Sequence, residues 1–308
     1  MNSELHRTPL TDLGVLRIGG ADAARFLQGQ VSNDLTRLGP QRTLLAGYHT
    51  PQGRTIALLR LVARAEDELL ALLPRELVTI VRDRLAKYVL RAKVTLTDVS
   101  DEWRISAVAP AEHLASGTPA ALAPQALAAE PGHCTRLEAA HYLCIGAAPA
   151  RWLKIAAADQ TPSEPAPAAR QQWRMLDVRA GLTQVYAPTS EHFVAQMLNL
   201  DALDAIAFDK GCYTGQEVIA RAHYRGRVKR RAQRLRSREP LVLAPGASGV
   251  LSDGRTFEVL ESAQLPDGRA EFLAVTTLPD VEHAEHAEHA EGQRLEVELL
   301  ALPYALEP

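Results

Sequence analysis

The segment 205–221 constrains the local fold more than any other part of the chain, because strand, turn and helix signals follow one another there. Its first four residues are apolar and predict a short strand, and Gly211 and Gly215 predict a turn after it. Thr214 and Glu217 have the spacing of a capping box, in which each side chain accepts a hydrogen bond from the other residue's backbone N–H. The sequence therefore predicts a helix that begins just after Thr214.

Cys212 lies directly before the predicted helix, and Lys210 precedes it by two positions. The partial positive charge of a helix N-terminus and a neighbouring ammonium both favour thiolate over thiol, which makes a cysteine a better nucleophile or metal ligand. The alternative is a small apolar residue that fills a tight turn. Glu217 alone is better explained by helix capping than by catalysis. Cys212 and Lys210 are therefore the candidate catalytic pair.

The run from Lys210 to Arg221, Lys-Gly-Cys-Tyr-Thr-Gly-Gln-Glu-Val-Ile-Ala-Arg, resembles the signature of the YgfZ-type folate-binding proteins. The resemblance extends to other segments, namely Gly20 to Asp34, Pro51, Gly53, Arg54, Tyr88 to Arg91, Phe193, Gln196, Asn199, Leu200, Tyr224, Arg225, Gly226, Lys229 and Arg230. It covers most of the chain up to about Arg231.

This resemblance implies an α+β fold, with aminomethyltransferase-like mixed α/β domains followed by a small C-terminal β-barrel. It also implies binding of folate, as tetrahydrofolate or a derivative. The implied function is support for the assembly or repair of iron-sulfur clusters in client enzymes, including radical enzymes that thiolate tRNA, with a link to oxidative stress. The implied partners are those client enzymes or cluster-assembly proteins. Such assistance differs from classical catalysis, and whether the protein is an enzyme stays open.

Local chemistry and the resemblance together give a working hypothesis for individual residues. Cys212 would act as a transient ligand or redox partner to a damaged cluster or persulfide, with Lys210 favouring its thiolate. The other motif and pocket residues are Gly211, Tyr213, Gly215, Gln216, Glu217 and Arg221. Arg179 resembles the arginine that related folate-dependent aminomethyltransferases place against folate. Its alternative role is a salt bridge to Asp177 or Glu191.

Two other functions compete with this interpretation. One is a tetrahydrofolate-dependent aminomethyltransferase, whose catalytic aspartate would follow a strand in the N-terminal half. Leu73-Pro74-Arg75-Glu76 occupies that place, which disfavours it. The other is an RNA-contacting protein that uses the basic run 221–238, in which Arg227 and Lys229 would bind phosphates. The same run also fits a folate tail or a solvated strand edge.

The chain has 308 residues, of which 46% are hydrophobic, and a formal net charge of -3. No apolar run is long enough to cross a bilayer, and the N-terminal residues lack secretory or transit-peptide character, which predicts a cytoplasmic protein.

The cysteines Cys134, Cys144 and Cys212 have neither zinc-site nor disulfide-scaffold spacing. Cys144 lies in an apolar stretch and is predicted to be a core residue. The His-Ala-Glu repeat at 283–291 is better explained as a solvated hairpin tip than as a metal site.

Hydrophobic periodicity predicts further elements. After Arg231 the sequence changes to short apolar segments separated by Gly and Pro, which predicts domains at 1–231 and 232–308. The predicted strands are 14–18, 68–73, 91–98, a pair around 136–146, and 249–251, 258–260 and 271–277. One helix is predicted after Gly20, with Phe26 and Leu27 buried, and another from about Pro74, with Leu77, Ile80, Val81, Leu85 and Tyr88 on one face. The segments 109–131 and 156–169 are predicted to be surface loops.

Overall fold

The fold is that of a computed structural model, which describes residues 4–158, 164, 166–226, 228–279 and 294–306. The chain forms two compact units, and each is assembled from separate stretches of sequence. Unit 1 comprises Met1–Tyr48, Ala57–Trp173 and Ala205–Thr214, and unit 2 comprises His49–Ile56, Arg174–Asp204 and Gly215–Pro308. The division at residue 231 stays a prediction.

Most of the regular structure is β-strand. The first eleven strands are β1 Leu5–Pro9, β2 Leu13–Gly19, β3 Leu44–His49, β4 Thr55–Ala65, β5 Glu68–Pro74, β6 Thr95–Asp98, β7 Trp103–Pro110, β8 Thr118–Pro119, β9 Cys134–Leu137, β10 Ala140–Ala147 and β11 Ala150–Ala157. The remaining strands are β12 Arg230–Pro240, β13 Ser248–Val250, β14 Thr256–Gln264, β15 Arg269–Thr277 and β16 Val297–Leu300. The α-helices are α1 Ala23–Gln28, α2 Arg75–Val89, α3 Pro167–Arg179 and α4 Gln216–Tyr224.

A five-stranded sheet with the order β3-β4-β5-β2-β6 carries α2 on one face. The predicted strands at 14–18 and 68–73 and the helix start at Pro74 are confirmed, and the strand predicted over 91–98 is shorter. In α2, Leu77, Val81 and Leu85 are buried as predicted, whereas Ile80 and Tyr88 are 41% and 46% exposed. Those two side chains lie at the flank of the apolar stripe, which the sheet does not cover.

The second sheet of unit 1 has six strands in the order β8-β1-β7-β11-β10-β9, and all of its pairs are antiparallel. Its buried cluster includes Tyr142, Cys144 and Trp152, so the predicted core position of Cys144 is confirmed. The segment 109–131 is not simply a surface loop, because Leu114 and Leu127 are buried. Within 156–169, residues 159–163 and 165 lie outside the described part of the chain.

The C-terminal strands of unit 2 form an antiparallel sheet with the order β13-β14-β15-β12-β16. A bridge between Leu251 and Leu295 brings its first and last strands together, as a barrel requires. The interior contains Leu235, Phe257 and Phe272, which are buried. The predicted C-terminal β-barrel is therefore confirmed. Among the described helices, none is both long and apolar enough to cross a membrane.

Candidate functional site

Lys210 is the anchor of the motif in unit 1. Its side-chain Nζ donates three hydrogen bonds to backbone carbonyl oxygens, those of Gln28 at 2.7 Å, Val31 at 2.7 Å and Asn33 at 2.8 Å. An ammonium has three N–H donors, and these contacts use all of them. The residue is only 9% exposed. The contacts join the Lys-Gly-Cys segment to the end of α1 and the loop that follows it.

That loop, residues 28–34, is itself fixed by side-chain hydrogen bonds. Gln28 Nε2 donates to Asp34 Oδ1 at 2.9 Å, and Gln28 Oε1 accepts from the backbone N–H of Leu35 at 2.7 Å. Asn33 Nδ2 donates to the carbonyl of Leu45 at 2.8 Å. Hydrogen bonds from the side chain and the backbone N–H of Thr36 lower the pKa of Asp34. These hydrogen bonds help to fix the loop whose carbonyls accept from Lys210.

The charge of Lys210 is set by burial. Loss of hydration lowers the pKa of Lys210 to about 8, and the nearby Asp34 carboxylate opposes this shift. Nζ also lies 5.1 Å from the centre of the Tyr213 ring, within cation–π range. Because the N–H donors are directed at carbonyls, the geometry gives Lys210 a structural task. Its predicted effect on Cys212 stays a prediction.

The strand predicted at residues 205–208 is wrong. Ser32 forms hydrogen bonds with the backbone carbonyl and N–H groups of this segment that would otherwise pair with a neighbouring strand. Its side-chain hydroxyl donates to the carbonyl of Ala205 at 2.7 Å, and its carbonyl accepts from the N–H of Ala207 at 2.9 Å. These bonds hold the segment in unit 1 without placing it in a sheet ladder.

The three cysteines have different environments. Cys212 is exposed, whereas Cys134 and Cys144 are buried. Burial raises the pKa of the Cys134 and Cys144 thiols, which keeps them protonated and unreactive. Cys212 is thus the thiol that solutes can reach. Among the described residues, no group of three or more His, Cys, Asp or Glu side chains is placed to hold a metal ion.

In unit 2 the motif continues as the start of α4. The N-cap residue is Gly215, with φ 83° and ψ 0°, and no side chain caps the helix. The predicted capping box of Thr214 and Glu217 is therefore wrong, although the helix does begin after Thr214. Glu217 instead pairs with Arg221 one turn later, at 2.9 Å, and both side chains are exposed. These two residues stabilise the exposed face of the helix.

Gly215 also permits a close approach of two backbone segments. A Cβ atom built on Gly215 would lie 2.6 Å from the carbonyl oxygen of Thr50. On the other side of this contact, Gly53 has φ +73°, and a Cβ there would lie 2.9 Å from Val218 Cβ. The first turn of α4 therefore packs directly on the turn 50–53.

Gln196 fixes the helix further, because its Nε2 donates to the carbonyl of Ile219 at 2.7 Å. Gln216, the first residue of α4, is half-buried, and Gly211 has no neighbouring heavy atom within 4 Å of a built Cβ.

His49 lies beside this contact and was missed by the sequence analysis. It is 1% exposed, and its Nδ1 is 3.2 Å from Thr55 Oγ1. Burial lowers the pKa of His49 to about 3, so the ring is neutral at physiological pH. A histidine next to the turn at Pro51 was the available signal, but only the fold shows that it packs against Gly215.

Arg179 belongs to a group of arginines around Glu271. Its Nε lies 3.5 Å from Glu271 Oε1, and its side chain is 50% exposed. The predicted alternative of a salt bridge to Asp177 or Glu191 thus named the wrong carboxylate.

Glu271 is fully buried, and it also accepts from Arg234 Nε at 2.8 Å and pairs with Arg236 Nη2 at 3.3 Å. Arg236 has a second partner in Glu298. Three guanidinium groups thus share two carboxylates, Glu271 and Glu298, which leaves one positive charge in excess beside the half-exposed Arg179.

The basic run 221–238 is divided between exposed and covered cations: Arg231 is buried and Arg230, Arg234 and Arg236 are half-buried, whereas Arg221, Arg225, Lys229 and Arg238 are exposed. Its strand β12 lies between β15 and β16, and is not a sheet edge. Arg231 is 4% exposed and forms a bidentate pair with Asp201, at 3.0 and 2.9 Å. These pairings reduce the positive charge available to RNA. Arg227 and the repeat at 283–291 lie outside the described residues.

Comparisons with known proteins agree with the fold. No family model matches the chain. The chain is 33% identical to the tRNA-modifying protein YgfZ of Enterobacter sp. (strain 638), over 98% of this chain and 95% of that protein. It is 32% identical to the tRNA-modifying protein YgfZ of Edwardsiella ictaluri (strain 93-146), over 97% of this chain and 92% of that protein.

Among solved structures, the glycine cleavage system aminomethyltransferase T from Bartonella henselae superposes with a TM-score of 0.61 and 14% identity. The match covers 89% of this chain and 79% of that one. The protein is therefore of the aminomethyltransferase T type in its fold, as the sequence predicted. The sequence relatives identify the family as well as the fold. The chain belongs to the YgfZ family.

Proposed function

We propose that this protein binds folate and supports the assembly or repair of iron-sulfur clusters in client enzymes, including enzymes that thiolate tRNA. The observation that carries the proposal is the exposure of Cys212 within a motif whose neighbours on both sides are fixed. An exposed thiol two residues after an anchored, buried lysine can be reached by a partner. The relatives that are named tRNA-modifying proteins support the tRNA part of the proposal.

In this proposal Cys212 is a transient ligand to cluster iron. The thiol loses its proton to solvent, and the thiolate donates a lone pair to iron. Lys210 positions the segment through its three carbonyl contacts. Within this proposal the sequence motif makes Tyr213 and Gln216 pocket residues. No change in the oxidation state of the protein is needed.

The cysteine role is tested by complementation of a strain that lacks the protein, with tRNA thiolation as the readout. We expect Cys212→Ala to leave thiolation uncorrected, and Glu66→Ala, at an exposed residue outside the motif, to restore it. Both variants should accumulate as folded protein. Full restoration by Cys212→Ala would refute the cysteine role without touching folate binding.

Folate would place a carboxylate of its tail against Arg179. The excess of positive charge around Glu271 supports this assignment, since a carboxylate gains charge-assisted hydrogen bonds from guanidinium groups. Calorimetric titration with tetrahydrofolate tests it. We expect saturable binding that is weakened about tenfold or more, or roughly 1.4 kcal/mol, by Arg179→Ala. Cys212→Ala should bind normally.

A matched control for Arg179→Ala is Arg238→Ala, which removes another exposed arginine of unit 2. Equal weakening by both variants would indicate general electrostatic attraction and would remove Arg179 from the site. The absence of any binding to the wild-type protein would refute the folate proposal.

The second candidate is aminomethyl transfer to tetrahydrofolate, which the likeness to aminomethyltransferase T in fold favours. It predicts formation of methylenetetrahydrofolate from an aminomethyl donor. We expect none, because Leu73-Pro74-Arg75-Glu76, where β5 ends and α2 begins, contains no aspartate at the place where the transferases would carry theirs. Turnover that survives Cys212→Ala would favour this candidate over the accessory role.

A further inference from the structure

The end of α2 exposes an unusual amount of apolar surface. Three large apolar side chains are exposed between residues 80 and 90, namely Ile80 at 41%, Tyr88 at 46% and Leu90 at 88%. In the rest of the described chain the large apolar side chains of this kind are Tyr224, Val242 and Leu299, which are dispersed. We call Ile80, Tyr88 and Leu90, together with the cations Arg84, Lys87 and Arg91, the α2 patch.

Leu90 has a backbone conformation that does not suit leucine. Its φ is 41° and its ψ is -102°, and the N–H of Ala92 donates to the carbonyl of Val89 at 2.8 Å. These values describe the first central position of a type II′ turn, which glycine normally occupies. Folding alone therefore favours glycine at this position. The side chain of Leu90 is almost fully exposed to solvent, so packing within the fold does not explain the strain. It is best explained by contact with another molecule.

The patch adjoins the buried stripe of the helix. Leu77, Val81 and Leu85 face the sheet, and Ile80 and Tyr88 extend the same apolar arc beyond the sheet's edge. The arc is thus wider than the surface that unit 1 provides for it. A further element from another molecule would complete the coverage.

The charges around the patch are predominantly positive, although the exposed Glu76 lies one helical turn before Ile80. Lys87 and Arg91 are exposed, and Arg84 is half-buried between Ile80 and Tyr88 along the helix. Arg82 is offset by its neighbour Asp83 at 2.8 Å, so this pair contributes little. A complementary surface would therefore carry carboxylates around an apolar centre.

We propose that the α2 patch docks an acidic amphipathic helix of a partner protein. The apolar face of that helix would cover Ile80, Tyr88 and Leu90, and its carboxylates would pair with Lys87 and Arg91. RNA is the less suitable ligand, because bases stack on aromatic rings and two of the three apolar side chains are aliphatic. The inference does not depend on folate binding or on the chemistry of Cys212.

Fluorescence anisotropy with a labelled synthetic helical peptide tests the proposal on the full-length protein. The peptide carries Leu at helical i, i+3, i+4 and i+7 spacing and Glu at the other positions. We expect Leu90→Gly to weaken binding about tenfold or more, which corresponds to roughly 1.4 kcal/mol. The same substitution should leave the melting temperature unchanged or raise it, because glycine relieves the turn. Weaker binding by a more stable variant cannot be attributed to unfolding.

The charge contribution is tested by Lys87→Glu with Arg91→Glu, which should also weaken binding of the acidic peptide and favour a peptide with Lys in place of Glu. The matched control is Val242→Gly, which removes another exposed apolar side chain and should bind normally. Equal affinity of wild type and Leu90→Gly would overturn the proposal. So would tighter binding of an oligo(U) RNA than of the peptide, with that RNA binding lost in the charge-reversal variant.

Discussion

In unit 1 the signature motif is held by hydrogen bonds to a buried ammonium, whereas in unit 2 it is held by the close approach of two backbone segments. The side chain of Lys210 donates to three carbonyls. Gly215 has no side chain, so its backbone can approach the carbonyl of Thr50 closely. The chain passes from one unit to the other between Thr214 and Gly215. Cys212 and Tyr213 thus lie between two anchors of different physical kinds.

This difference has consequences for mutation. Hydrogen bonds donated by an ammonium depend on its charge and on the positions of acceptors that are distant in sequence. A neutral residue of equal size therefore disrupts them. A backbone contact depends only on space, so one added methyl group disrupts it. All three tryptophans, Trp103, Trp152 and Trp173, belong to unit 1. Tryptophan fluorescence therefore reports mainly on unit 1, with Trp173 on the helix α3 that continues into unit 2. Far-UV circular dichroism reports on both units.

The largest effect is expected for Gly215→Ala. The added Cβ would lie 2.6 Å from a backbone oxygen, and φ is +83°. We expect a loss of about 4 kcal/mol in the unfolding free energy, the sum of a positive-φ cost and a backbone displacement. In urea denaturation the circular dichroism transition should shift more than the fluorescence transition.

Two glycines provide controls for Gly215→Ala. Gly254 has φ +88° with nothing within 4 Å, so Gly254→Ala should show only the cost of positive φ, about 1 kcal/mol. Gly211→Ala should change stability by less than about 0.5 kcal/mol. If Gly215→Ala cost no more than Gly254→Ala, the close contact with Thr50 would not be what holds this half of the motif.

Lys210→Met should cost about 3 kcal/mol, because it leaves three carbonyl oxygens without their donor. Here the tryptophan fluorescence transition should move, since the contacts lie within unit 1. Lys93→Met, at an exposed lysine of the same unit, is the control and should have little effect. A shift confined to circular dichroism would contradict the assignment of this anchor to unit 1.

The sequence predicted the helix of the motif but not its anchors. Local signals place a turn and a helix after Thr214, and they are correct. The predicted capping box does not form because the N-cap residue is Gly215, which has a positive φ and no side chain that could cap the helix. Lys210 binds carbonyls that are 177 to 182 positions away in sequence, and periodicity carries no information about such partners.

The same limit applies to the arginines. The basic run reads as an exposed surface because its own neighbours contain no acid, yet Asp201 and Glu271 reach it from 30 or more positions away. Buried elements with strong periodicity, such as β5 and the inner stripe of α2, were predictable because burial alone fixes their pattern. Residues whose placement depends on one specific distant partner were not.

His49 adds a pH test to the comparison. Its pKa falls from 6.5 to about 3 on folding, so below pH 6.5 the unfolded chain binds a proton that the folded chain does not. Stability is then fully present above pH 6.5 and decreases as pH falls toward 3. The expected decrease from this group alone is about 2 kcal/mol between pH 6.5 and 5.

Urea denaturation followed by circular dichroism at several pH values measures this decrease. His49→Gln should remove that part of the pH dependence, while His113→Gln, at an exposed histidine, should retain it. An unchanged pH profile in His49→Gln would mean that other groups cause the loss of stability in acid.

The smallest effect on stability is expected between the two anchors. Cys212 is exposed, so Cys212→Ala should change the unfolding free energy by less than about 0.5 kcal/mol. The thiol should nevertheless dominate reactivity, because Cys134 and Cys144 are buried and burial raises the pKa of both. Titration of the folded protein with a thiol-reactive disulfide should label one cysteine quickly, and Cys212→Ala should abolish that phase. If Gly215→Ala or Lys210→Met slowed the labelling of Cys212 without unfolding the protein, the two anchors would set the reactivity of the thiol as well as its position.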